Sequence, residues 1–166
     1  MVPFERDGER FRPPAAYPRL ALACVATHDL PPLAGWWDGV DIEEQGVLGI
    51  LTPEAAIAAR SDRIRAKYAL ITALGEAGCA PGGASADQPL TPALAGAIHA
   101  FMATTPCALA MIQVEDLAGE RTPVNLPGTN MERPNWRRRL DAPVEALANG
   151  EWARAILDAV RAERGA

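Results

Sequence analysis

The sequence predicts an α/β fold, in which short buried strands alternate with helices in an open sheet or a barrel. Two apolar runs carry that reading. Residues 20–25, LALACV, end in Thr27-His28-Asp29, and residues 107–114, CALAMIQV, end in Glu115-Asp116. Neither run alternates polar with apolar, which is the pattern of strands covered on both faces of a parallel sheet. Helix-forming sequence follows each, completing a βα rhythm. In such folds chemistry gathers at the C-terminal ends of strands, and here both ends carry acids.

The elements follow in order. Residues 1–18 are rich in charge and proline, with Phe4, Phe11 and Tyr17 among them, and read as an extended arm or loop. Residues 19–26 read as the first strand. Residues 27–52 read as a long loop with a helical turn at 33–37. Thr52-Pro53-Glu54 then opens a helix: threonine caps, proline suits the first turn, and glutamate suits the positive end of the dipole. This helix is expected to reach about Leu74 and stop at Gly75 or Gly78, with Ile57, Ile64, Tyr68 and Ile71 forming its apolar face.

Residues 79–90 are rich in Gly, Pro and Ser and read as loop. Thr91-Pro92 repeats the cap-then-proline start, and a helix through Leu94, Ile98 and Phe101 ends before Pro106. The second strand occupies 107–114. A polar loop, TPVNLPGTNMERPNW, leads to a last helix over 143–163. Its expected buried stripe is Val144, Leu147, Trp152, Ile156 and Val160, and Gly150 weakens or splits it.

Composition narrows the function. The chain has 166 residues, enough for one domain with a sizeable core. A net charge of −5 argues against a nucleic-acid partner. Arg137-Arg138-Arg139 reads as a solvated helix start rather than a phosphate site. Cys24, Cys79 and Cys107 are odd in number and form no CxxC, which suits a reducing, cytoplasmic setting. His28 and His99 fit no metal-ligand motif, so no metal is expected. No apolar run reaches the ~18 residues of a membrane span, and residues 1–11 lack a signal-peptide core. With no phosphate loop, GxSxG or dinucleotide fingerprint, no cofactor is expected.

Several residues remain as candidates for chemistry. Asp29, at a strand tip, suits either a functional acid or a local cap. His28 suits either a ligand donor or a satisfied core histidine. Trp36 and Trp37 offer flat apolar faces for a sugar or for the core, and adjacent residues on a turn point apart, so at most one meets ligand. Glu115-Asp116 could pair with Asp29 across strand ends, as glycoside chemistry requires of two carboxylates. Asn125-Leu126-Pro127-Gly128 forms a turn whose amide suits sugar hydroxyls.

Two of these motifs, taken together, resemble glycoside hydrolase family 77, the bacterial 4-α-glucanotransferases or amylomaltases. The first is Thr27-His28-Asp29 with Gly35-Trp36-Trp37. The second is Glu115-Asp116-Leu117 with Asn125-Leu126-Pro127-Gly128-Thr129 and Asn135-Trp136-Arg137. The resemblance runs from about Phe4 to the last helix and matches the C-terminal part of the family's chain. It implies a portion of a TIM (β/α)8 barrel, holding about two barrel strands and their helices, as one partial catalytic domain over 1–166. The implied activity is retaining transfer of α-1,4-glucan segments between malto-oligosaccharides. Asp29 matches the family's third catalytic carboxylate, which stabilises the transition state. His28, Asn125, Pro127 and, with the loop behind, Trp36 match the substrate-binding region. On this reading Glu115-Asp116 supports the site and is not the acid/base pair.

The family's nucleophile lies in an Arg-x-Asp segment on an earlier strand and its acid/base in Glu-Asp-Leu-Gly. No Arg-x-Asp follows a predicted strand here, and the one Glu-Asp-Leu belongs to the C-terminal motif. Met1-Val2-Pro3 also stands where barrel sequence is expected to continue. The expectations are therefore a truncated gene product, a mis-called start or a piece of a split gene, inactive alone, whose partners are a glucan and the missing N-terminal part. The alternative is a non-catalytic glucan-binding or inert remnant. Its open strand edges would invite self-association.

Overall fold

A computed structural model describes residues 5–165. Pro3 and Phe4, part of the expected arm, and the Met1-Val2-Pro3 start lie outside the described residues. The arm is not plain loop. Strands β1 (Arg6–Asp7) and β2 (Arg10–Phe11) form a small antiparallel hairpin. A 3-10 turn, Pro14–Ala16, follows. Phe11 and Tyr17 are buried and fasten the arm to the core.

The centre is a parallel pair, β3 (Leu22–Cys24) with β4 (Leu109–Met111), in register Leu22 to Leu109 through Cys24 to Met111. The fold is thus α/β, with two parallel strands joined through helices. Both strands are shorter than expected, and the expectation of burial on both faces fails. Leu20 is 97% exposed, and Leu22, Leu109 and Met111 are exposed as well. Ala23 and Val25 on one side are buried, while the side of Leu22, Leu109 and Met111 is open and only Cys24 on it is buried. Among the described residues, no third strand pairs with either outer edge.

Between the strands come α1 (Leu33–Asp38), α2 (Val40–Val47), α3 (Pro53–Glu76) and α4 (Pro92–Ala103). Helix α1 is the expected turn, whereas α2 lies where loop was expected. Thr52 and Thr91 cap as predicted: their hydroxyl oxygens accept from Ala55 N and Leu94 N, each at 3.2 Å. The expected apolar face of α3 holds only at Ile71, which packs partly buried against the core. Ile57, Ile64 and Tyr68 are exposed, and α3 buries Ala66, Leu70, Ala73 and Leu74 instead. Every residue of α4 from Leu94 to Ala103 is buried.

After β4 come α5 (Val114–Leu117), α6 (Val144–Leu147) and α7 (Glu151–Arg164). The expected last helix is split before Gly150, and Val144 is exposed rather than part of the stripe. Leu147, Ala153 and Ile156 are buried. Helix α7 lies against α4, and Arg164 donates to the carbonyls of Ala103, Thr105 and Cys107, closing the end of α4. Residues 137–139 are not a helix start. Arg138 pairs instead with Glu120 in an irregular loop.

Candidate functional site

Strand β3 runs into a tight turn, where Leu30 N donates to Thr27 O at 2.9 Å. That turn lifts His28 and Asp29 into solvent, their side chains 61% and 53% exposed. His28 Nε2 lies 3.4 Å from Asp29 Oδ2. The other carboxylate oxygen, Oδ1, accepts from Asn125 Nδ2 at 2.7 Å. Ninety-six residues apart in sequence, the two motif loops are joined by this bond. It fixes the carboxylate and leaves Oδ2 beside the imidazole.

The loop that carries Asn125 is stitched internally. Leu126 O accepts from Thr129 N at 3.3 Å, with Pro127 and Gly128 (φ +85°) between them, a type II turn in which that glycine relieves strain. Asn135 Oδ1 accepts from Leu126 N and from Arg133, while its Nδ2 donates to Thr129 Oγ1. Buried Arg133 also pairs with Glu44 at 2.7 Å and donates to Pro123 O. A buried cation with carboxylate and carbonyl partners is a firm anchor, because losing any partner leaves charge unpaired. Pro127 is exposed at the tip of the same loop.

Sequence reasoning missed one neighbour of this cluster. The Trp136 ring sits 5.2 Å from the His28 ring, tilted by 52°. Trp136 is 60% exposed and, alone among the described non-glycine residues, has a positive φ, +62°. Such a conformation costs a side-chain-bearing residue about 1–2 kcal/mol. The signal was present, since Asn135-Trp136-Arg137 belongs to the second motif.

Trp36 is not brought to this cluster. Its partners are Trp37 and the Arg63 guanidinium, 4.8 Å above its ring. Arg63 is held in turn by a bidentate pair with Asp41, at 3.1 and 2.8 Å. Trp37 is buried and donates Nε1–H to Gln88 O at 2.9 Å. The two tryptophans therefore anchor the loop behind the tip.

The carboxylate pair first suggested by strand-end acids does not form. Asp116 is buried, accepts from Leu33 N at 2.7 Å and faces His99, while Asp29 points into solvent. One solvent-facing carboxylate at a strand tip can hold hydroxyls or a developing positive charge. It cannot alone supply both nucleophile and acid.

The chain resembles known proteins along most of its length. The sequence profile of the glycoside hydrolase 77 family, described as 4-alpha-glucanotransferase, matches residues 1–145. The 4-alpha-glucanotransferase of Haemophilus influenzae is 32% identical over 150 residues, which is 89% of this chain and 21% of that protein. That of Mycobacterium bovis is 34% identical over 150 residues, 85% of this chain and 20% of its own. The crystal structure of amylomaltase from Corynebacterium glutamicum superposes with a TM-score of 0.85 at 30% identity, covering 96% of this chain and 24% of that one. The chain spans about a fifth of the length of the curated relatives it matches.

Proposed function

Because the chain belongs to the glycoside hydrolase 77 family of 4-alpha-glucanotransferases, we propose that it supplies the donor-sugar side of a site that transfers α-1,4-glucan segments with retention. Asp29 is the third carboxylate. It holds hydroxyls of the donor glucose and faces the positive charge that develops as the glycosidic bond stretches. His28 and Asn125 orient it, and Pro127 shapes the loop that lines the sugar. Trp36 supports the loop from behind. The observation that carries this reading is the 2.7 Å bond from Asn125 Nδ2 to Asp29 Oδ1, which unites the two motif loops around one exposed carboxylate.

The nucleophile and the acid/base come from segments outside this sequence. The two parallel strands are then neighbours in a (β/α)8 barrel, and the polypeptide bearing the other strands is the partner of this chain. Exposed Leu20, Leu22, Leu109 and Met111 support that assignment, since an open apolar strand face calls for cover. Cys24, Cys79 and Cys107 are all unpaired, in keeping with a reducing cytoplasm.

Glucose release tests the division of labour. The pure chain is expected to release none from maltotriose. Mixing it with the part of a family relative that carries Arg-x-Asp and Glu-Asp-Leu-Gly is expected to restore release. Asp29→Asn in this chain is then expected to lower the restored rate by at least ~10²-fold. Release by the pure chain would overturn the division. A restored rate indifferent to Asp29→Asn would overturn the role of Asp29.

A further inference from the structure

We propose that Trp136 is a sugar-binding residue, whose indole face stacks on an α-linked glucose unit next to the one held by Asp29, His28 and Asn125. The proposal rests on the glucan reading above and adds to it a subsite whose flat apolar face none of the predicted site residues supplies.

Three observations carry it. The first is backbone strain without burial. At φ +62° glycine or asparagine would fit more easily than tryptophan, and at 60% exposure the indole leaves most of its apolar area in water. Packing within this chain therefore does not explain a tryptophan here. A strained residue persists only where its surroundings over-determine it, and these do. Trp136 N donates to Val124 O at 3.0 Å, and the side chain of the preceding Asn135 makes hydrogen bonds to Leu126, Thr129 and Arg133.

The second is position. The Trp136 ring leans on His28, which lies beside Asp29, and Val124, its backbone partner, immediately precedes Asn125. The third is the chemistry of the adjoining cleft. It has a volume of about 420 Å³ and is lined by Asn125, Thr129, Asn130, Asn135, Trp136 and Arg137, with Met131 among its other walls. Asn135 and Thr129 are spent within the loop, but Asn125 Oδ1, the Asn130 amide and the Arg137 guanidinium stand around one flat apolar face, which suits a pyranose, whose hydroxyls lie around its rim and whose C–H groups form its faces.

The test is a titration of ¹⁵N-labelled chain with maltoheptaose, following the indole Nε1–H resonances of the four tryptophans. Trp136→Phe identifies the Trp136 resonance by its loss. That resonance is expected to shift and saturate. Trp136→Gly is expected to weaken binding about 5–10-fold while raising the melting temperature, because glycine accepts the positive φ. Trp136→Phe keeps a flat face and is expected to stay within about threefold of the parent. A Trp136 resonance that stays still while the Asn125 side-chain amide moves overturns the stacking role and leaves the glucan reading intact. Equal affinity of Trp136→Gly does the same. No response of any resonance up to millimolar ligand overturns both.

Discussion

Asp116 and His99 face each other inside the core, Oδ2 to Nε2 at 3.3 Å, and the second Asp116 oxygen accepts from Leu33 N at 2.7 Å. Both side chains are essentially without solvent contact. His99 Nδ1 lies 2.9 Å from Ala95 O, while Nε2 and Asp116 Oδ2 approach each other without hydrogen-bond geometry. Leu33 begins α1, whose first N–H groups have no partner within the helix. One carboxylate on α5 therefore faces α4 and accepts from the segment that follows the His28-Asp29 tip. Removing one member of a buried polar pair leaves the other unmatched, at about 3–5 kcal/mol. Asp116→Ala is expected to lose that much in urea unfolding, and Asp116→Asn less, because its oxygen can still accept from Leu33. A midpoint within ~0.5 kcal/mol of the parent for Asp116→Ala would show that the pair holds nothing.

Asn125→Ala separates site from scaffold. Asn125 donates to Asp29 at the surface, while the loop around it is held by Arg133 and Asn135. Truncation at such a position is expected to change stability by no more than ~0.5 kcal/mol. In the restored transferase it should cost activity on the scale of one lost charge-assisted hydrogen bond, about 10-fold or more. A variant that melts early and keeps its rate would reverse the assignment.

Glycines 35 and 46 should respond with opposite signs to the same change. A Cβ on Gly35 would overlap the carbonyl oxygen of Arg121, so α1 meets the loop after α5 backbone to backbone. Gly35→Ala is expected to destabilise by about 1–3 kcal/mol, as overpacking does. Gly46 is exposed on α2, at an ordinary helical φ, with nothing within 4 Å of an added Cβ. Gly46→Ala is expected to stabilise by about 0.5–1 kcal/mol. Thermal melts of the two variants decide both signs.

What was legible in the sequence follows from the range of the forces involved. Thr52-Pro53 and Thr91-Pro92 were readable because a cap acts over three residues, and both caps form. The periodicity of Ile57, Ile64 and Tyr68 marked a real face of α3 but not what that face meets. The core took Ala66, Leu70, Ala73 and Leu74 with part of Ile71, and Ile57 and Ile64 stayed outside. Helix α2 was missed because Gly46 near its end weakens local propensity, while contacts with α1 and α3 hold it. At the site, His28, Asp29 and Asn125 could be named through the two motifs. Their bond spans 96 residues and has no local signature. Trp136 lay in plain view, but its positive φ is a property of the folded loop alone.

Tyr17 makes stability depend on alkaline pH. Its hydroxyl is buried without a hydrogen-bond partner among the described residues. Burial, joined by the negative charge of Glu5, pushes its pKa up to about 12, with Arg12 opposing. In the unfolded chain a tyrosine titrates near ~10. Between those values the unfolded state binds fewer protons than the folded one, so stability falls as pH rises. The contribution is complete below about pH 10 and is lost as pH climbs through the folded value of about 12. Tyr17→Phe removes both the titration and the unpaired hydroxyl. It is expected to be neutral or slightly stabilising at pH 7, since an apolar group replaces an unsatisfied polar one. Above pH 10 the variant should outlast the parent by a margin that widens with pH. Urea midpoints measured at pH 8 to 11.5 check this, and parallel curves for parent and variant would remove Tyr17 as the titrating group.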